Sequence, residues 1–377
     1  MYGNFNQGER LLTSKAKNIF GAILILVSLP IGYLFFWPVR ISPEVWTPEK
    51  NPAGMFPFER NNRLADARLI ELDGYGPEGS AIADDGFVFS GLSDGRIISI
   101  DPKANDFTDI LNTGGRPLAM QFARETITGV QSDLIICDAP LGLLAFTQTG
   151  ELKILTNEVD GTPIRFADDL DISSDGVVWF SDASTRHGIH DMVYEGMETP
   201  AAGRLLTYDF KTGKTEIVLD GLHFANGVAL AEDESFVLIA ETYRYRVQKY
   251  WISGPKAGHI EIFAENLPGY PDNITRAPDG GFWIALVNGR DKTLDKLMPS
   301  SFMRKLVFRI MKLIEFEPLW EETWALYLDQ NGKVVHALDA RHSDIYAVTN
   351  VKEKNGLLFL SSLQNNALGI IPSPTSP

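Results

Sequence analysis

"PGYPDNITRAPDGGFWIAL", residues 268 to 286, places an Asp-Gly turn directly before an aromatic and aliphatic run. Such a run after such a turn reads as the second strand of a β-hairpin. The arrangement recurs in "DDGFVFSGL" at 84–92, "SDGVVWFSD" at 174–182 and "KNGLLFLSS" at 354–362. A second turn follows within several of these units, in "SDGRIISID" at 93–101, "KTGKTEIVL" at 211–219 and "QNGKVVHAL" at 330–338, which implies roughly four strands per unit. Four-stranded units about forty to fifty residues long predict an all-β fold, a β-propeller whose blades surround a central channel. Six units begin near residues 76, 116, 166, 224, 270 and 344, and "ARLIELD" at 67–73 is expected to complete the last blade from its N-terminal side. Closing the ring in this way hides sheet edges that would otherwise recruit other chains. A β-sandwich is the rival fold, but it does not predict similar repeats of this length. The propeller is assigned to residues 67–377.

The repeat also fixes a register. Eight residues before the turn glycines Gly86, Gly176 and Gly280 stand Glu78, Asp168 and Asp272. The fourth unit, "HFANGVALAEDESFVLIAET", lacks the glycine, and aligning its strands puts Asn226 at the same place. Asn273 lies beside Asp272. These positions begin the innermost strands, so side chains from different blades are expected to converge on the axis. A set that offers only oxygen suits a hard cation, calcium first, with Mg2+, Mn2+ or Zn2+ as alternatives and zinc the poorest match. Without a cation, three crowded carboxylates would repel and raise one another's pKa. The competing reading makes each a turn residue, since Asp and Asn bond locally to backbone.

A cation in such a channel can polarise a lactone or ester carbonyl and acidify a bound water. Asp272 is the candidate for both ligand and proton acceptor. His187 and His190, in the insertion "STRHGIHDMVYEGMETPAAG" at 184–203, are candidates for substrate contact from a lid, set against a reading as solvated loop histidines. His223 is a third candidate, set against a strand-end histidine bonded to backbone. There is no G-x-S-x-G elbow, so a serine triad has no local support.

The net charge of −15 argues against nucleic acid and leaves small molecules or divalent cations as ligands. Cys137, the one cysteine, excludes an intrachain disulfide and reads as a buried strand residue. Ile19 to Trp37, "IFGAILILVSLPIGYLFFW", is an uncharged apolar run of 19 residues, about the length that crosses a bilayer. Arg10, Lys15 and Lys17 precede it, which predicts a cytosolic tail at 1–18, an anchor at 19–37 and a propeller on the periplasmic, lumenal or extracellular side. A cleaved signal peptide is the alternative, but no small-residue cleavage site follows the run. Residues 38–66, rich in proline and polar residues, read as a linker. Residues 294–314, "LDKLMPSSFMRKLVFRIMKLI", break the sheet pattern with a basic amphipathic helix. It is expected to lie on the membrane, cap the channel or pack on the propeller edge.

The segments "GPEGSAIADDGFVFSGLSDGRI", "GGRPLAM", "FADDLDISSDGVVWFSDAS", "GRLLTYD", "FANGVALAEDESFVLIAET", "YWISGPKAG" and "LPGYPDNI" make the chain resemble the strictosidine synthase-like branch of the gluconolactonase and paraoxonase-type six-bladed propellers. The resemblance spans nearly all of residues 67 to 372. It implies a catalytic cation held at positions matching Glu78, Asp168, Asn226, Asp272 and Asn273. Three departures stand out. The family commonly reads "NDL" where this chain has "DDL" at 168–170, which adds a negative ligand at Asp168. The glutamate that true strictosidine synthases use for condensation aligns with Thr349, which argues against that reaction. The paraoxonase histidine pair aligns with Leu118 and Ala139, leaving proton transfer to Asp272 or another carboxylate. Two functions follow as expectations: a membrane-anchored, metal-dependent hydrolase of lactones or aryl esters, or a non-catalytic propeller whose cation is structural and whose face binds a ligand or protein.

Overall fold

A computed structural model describes residues 5–123, 133–314 and 319–375. Among these residues the strands form six four-stranded antiparallel sheets and one small hairpin. The innermost strands are Ser80–Ile82, Pro117–Phe122, Ala167–Ile172, Ala225–Leu230, Gly269–Arg276 and Val348–Lys354, and they begin blades I to VI in chain order. Each touches the innermost strand of both neighbours, and that of blade VI returns to that of blade I, so the ring is closed. Closure comes from the N-terminal side, as expected. Arg68–Glu71 pairs antiparallel with Ala367–Pro372 and supplies the outer strand of blade VI.

The turn chemistry explains the register. Gly86, Gly176 and Gly280 adopt φ of 96°, 93° and 88°, a left-handed conformation that costs glycine little. In blade IV the same conformation falls on Glu234, at φ 55°. Glu234 stands eight residues after Asn226, so the spacing holds there although the glycine is absent. Apolar clusters fill the spaces between sheets. The largest joins Leu238 and Ala240 of blade IV to Ile284, Leu286, Trp324 and Leu326 of blade V.

Two insertions leave the sheets between the second and third strands of their blades. Blade III carries helix α2 (Met192–Glu198), and blade V carries α3 (Lys292–Leu297) and α4 (Ser301–Met311); the N-terminal helix α1 spans Phe5–Phe36. The amphipathic stretch expected at 294–314 is therefore two helices. Pro299 separates them, and the Ser300 hydroxyl accepts from Met303 N at 3.2 Å to cap the second. In an antiparallel meander the second-to-third connection lies on the face where the innermost strand begins. Both insertions thus sit on the face that carries the register positions.

The proline-rich stretch at 38–66 lies against the propeller. Ile41 and Phe308 share a cluster with Met197, Glu44 N donates to the Glu198 carbonyl at 2.9 Å, and Leu64 is fully buried against blades V and VI. Apolar side chains spaced among the prolines give it surface to bury, which composition alone conceals.

Candidate metal centre

The innermost strands are irregular where the register positions fall. Pairing with the second strand shifts between Ala167 and Leu170, between Ala225 and Val228, and between Pro271 and Ile274. These irregularities hold Asp168, Asn226 and the pair Asp272 and Asn273. A bulge turns a side chain that would point to a sheet face, and here it turns them toward the axis. Close packing of neighbouring blades makes this possible: a Cβ at Gly227 would lie 2.3 Å from the Asp272 carbonyl oxygen, and one at Gly79 would lie 2.5 Å from that of Leu118.

Glu78, Asp168 and Asp272 each bring one carboxylate oxygen to within 4.8 Å of the others. The Asn226 amide lies beside Asp272, and the Asn273 amide beside Glu78. All five side chains are buried, with Asp272 the most exposed at 6%. Glu78 Oε2, Asp168 Oδ1, Asn226 Oδ1, Asp272 Oδ1 and both polar atoms of Asn273 are buried without a hydrogen-bond partner. Buried polar atoms are nearly always paired, so five neighbouring residues with unsatisfied oxygens describe a cradle for a hard cation. Burial pushes the Glu78 carboxyl up to about 7, against the pull of Arg116 and the Asn273 amide. Burial and then the Glu78 charge push Asp168 and Asp272 well above the usual carboxylate range. A dication among them would reverse that balance.

The two remaining blades are different. Leu118 sits in an apolar cluster with Ala139, Phe166, Ala183 and Phe224, against which Ile189, Met192 and Tyr243 pack. Thr349 donates its hydroxyl to the Glu78 carbonyl at 2.6 Å. The ring thus has an oxygen-lined side and, at blade II, an apolar wall roofed by the blade III insertion.

The three histidines lie around that roof. His187 Nε2 is 2.8 Å from Glu198 Oε2, His190 is exposed, and His223 Nδ1 is 3.2 Å from the Thr199 carbonyl. Burial and the neighbouring Arg244 hold the His223 imidazole below its ordinary range. His187 and His223 are held by these partners, and none of the three joins the carboxylate ring.

Two residues escaped the sequence reading. Asp169 Oδ2 accepts from Val228 N at 2.9 Å and Ile274 N at 3.3 Å, tying blades III, IV and V together; burial pushes its carboxyl up to about 8. Its signal was the doubled acid of "DDL". Glu195 on α2 is 1% exposed, with Oε2 accepting from Ser184 Oγ at 2.9 Å and Oε1 unpaired. Burial pushes it up to about 8 as well. Nothing in a short exposed-looking insertion announced it.

The strictosidine synthase profile matches residues 168–255, and the strictosidine synthase-like N-terminal profile matches residues 57–100. Adipocyte plasma membrane-associated protein of Salmo salar is 32% identical, over 92% of this chain and 86% of that protein. The chain belongs to the strictosidine synthase-like family. Another relative, STRICTOSIDINE SYNTHASE-LIKE 10 of Arabidopsis thaliana, is 34% identical over 81% of this chain and 87% of its own length. Among solved structures, a gluconolactonase from Xanthomonas campestris superposes with a TM-score of 0.58 at 15% identity, covering 89% of this chain and 97% of its own. A calcium-binding regucalcin from Agrobacterium tumefaciens gives 0.55 at 13% identity, covering 80% and 93%. At these identities the two structures share the propeller fold. In this strictosidine synthase-like chain, the hydroxyl at Thr349 leaves no carboxylate at the blade VI position of the ring.

Proposed function

We propose that the protein is a divalent-cation-dependent hydrolase of lactones or esters, with calcium as the cation. The observation that carries this reading is the set of buried, unpaired oxygens on Glu78, Asp168, Asn226, Asp272 and Asn273. These five would hold the ion, with three carboxylates supplying charge and two amides supplying neutral oxygen. When bound, the cation would polarise a carbonyl and lower the pKa of water. Asp272, itself one of the five, is the group to accept the proton of the attacking water, through the carboxylate oxygen not assigned to the ion. Phe166, Phe224 and Tyr243 form the apolar wall for the uncharged part of a substrate. Family membership does not assign condensation chemistry here, because Thr349 has no carboxyl to serve it. α1 has an apolar stretch at Ala16–Phe36 long enough to cross a membrane, and we read it as an anchor with the propeller on the non-cytosolic side.

One observation favours a second reading. Every ring side chain is buried, and the roof of Ile189 and Met192 closes the apolar wall. A cation bound there could serve stability alone, with the outer face binding a ligand or protein. A panel of lactones and aryl esters, assayed with chelator and with metal add-back, separates the two. Turnover lost on chelation and in Glu78→Ala and Asn226→Ala supports the hydrolase. Calcium-dependent stability without turnover of any substrate supports the structural cation.

A further inference from the structure

Helix α4 carries apolar side chains outward as well as inward, where Val307, Phe308 and Met311 pack against Ile41 and Met197. Its inward side carries Arg304, which is fully buried and donates to the Glu44, Met197 and Glu198 carbonyls, together with buried Phe308. Its outward side carries Phe302 at 52% exposure, with exposed Met303 and Ile310; Leu313 at 65% and Ile314 follow beyond the helix end. At 100° per residue Phe302, Met303, Leu306, Ile310 and Leu313 fall on one continuous stripe. Lys305 lies on one margin of it, beside Arg309, which is buried, and Lys312, whose ammonium sits over the Tyr194 ring at 4.5 Å. Contiguous exposed apolar surface rimmed by charge marks a contact with something apolar.

The position of α1 says what that contact is. The Phe35 and Phe302 rings lie 5.9 Å apart, and Arg309 Nε donates to the Trp37 carbonyl at 2.8 Å. Phe35, Phe36 and Trp37 end the apolar stretch of α1, where aromatic residues mark the boundary between acyl chains and headgroups. A helix fastened there lies at the same depth. Lys305, half-buried on that margin, is then placed near headgroup phosphates, while the apolar stripe reaches the acyl chains.

We propose that α4 is a second membrane contact, lying in the bilayer interface beside α1 with Phe302, Met303, Ile310 and Leu313 inserted. Its inner side packs through Phe308 on Tyr194 and Met197 of α2, the helix in the roof over the carboxylate ring. The face of the propeller that carries the ring is therefore turned toward the membrane, and a ligand reaching it arrives beside lipid. The inference rests on α1 crossing the bilayer and is independent of hydrolysis.

The test uses the full chain in nanodiscs holding one copy each. Ile310→Cys, Val335→Cys and Leu26→Cys are each labelled with an environment-sensitive fluorophore, and bromine is placed on the lipid acyl chains. Cys137 is fully buried, and the unsubstituted chain gives the labelling blank. Val335, 50% exposed in the outermost strand of blade V near the opposite face, is the aqueous control. We expect quenching at 310 at least about twofold above that at 335, as for a helix seated 5–10 Å into the interface. Equal quenching at 310 and 335 overturns the proposal, and Leu26 then shows whether the anchor reading falls with it. A label at 310 shielded in detergent by cross-linking to a second copy, and unquenched in single-copy nanodiscs, overturns it in favour of a dimer face.

Discussion

Blades I, III, IV and V begin with Glu78, Asp168, Asn226 and Asp272, while blades II and VI begin with Leu118 and Thr349. The scaffold is closely similar at all six places: in five blades the pairing shifts at the start of the innermost strand, and in blade I Glu78 lies just before it. The four polar side chains keep buried, unpaired oxygens, whereas Leu118 is packed in an apolar cluster and Thr349 is hydrogen-bonded to the Glu78 carbonyl. A repeating fold thus supplies equivalent positions, and only residue identity decides which become ligands, which a wall and which a brace.

The largest expected effect comes from the ligand side. Asp272→Ala or Glu78→Ala should weaken calcium binding by at least about 100-fold, because charge is lost from an oxygen-only site. Isothermal titration reads this directly. The wild-type chain should gain about 2.7 kcal/mol of unfolding free energy at a hundredfold excess of calcium over Kd, and Asp272→Ala should gain nothing. A gain of equal size in both would remove the cation from the ring.

Asp168→Asn restores the amide common in the family and tests the added charge. Calcium affinity should fall by roughly tenfold while binding persists, since ligand charge tunes affinity at a retained geometry. An unchanged Kd would show that Asp168 holds its proton when the ion binds.

The roof gives a pH signature. The folded pKa of Glu195 is raised to about 8 by burial. Its contribution is fully present below the unfolded value and is lost as pH rises through about 8. Stability should decline across that window by on the order of 2 to 4 kcal/mol more in wild type than in Glu195→Gln. Identical pH profiles would mean that the carboxyl is solvated in solution.

The smallest effect belongs to the brace. Thr349→Val removes one buried hydrogen bond to the Glu78 carbonyl and should cost about 1 kcal/mol of stability. Calcium affinity should fall only a few-fold. A hundredfold loss would make Thr349 part of the ligand set instead.

The repeat of turns and its eight-residue offset were legible in the chain, including the place of Asn226. A glycine in the left-handed region is a local requirement, and Glu234 also adopts a positive φ, 55°, because the strands on either side demand it. The neighbouring layer was less visible. Asp169 has meaning only once blades IV and V bring the Val228 and Ile274 amides to it. The docking of residues 38–66 was hidden by a composition that also suits a free tether.

The sequence by itself determined the propeller, the closing strand, the oxygen-only character of the ring and the apolar N-terminal helix, because hydrophobic periodicity and turn stereochemistry act within a few residues of chain. Only the tertiary structure decided that the ring oxygens lack partners, that Glu195 is buried, and that α4 turns Arg304 inward and its apolar stripe outward. Those properties depend on which surfaces meet, and the meeting surfaces of α4, residues 38–46 and α2 are separated by more than a hundred residues of chain.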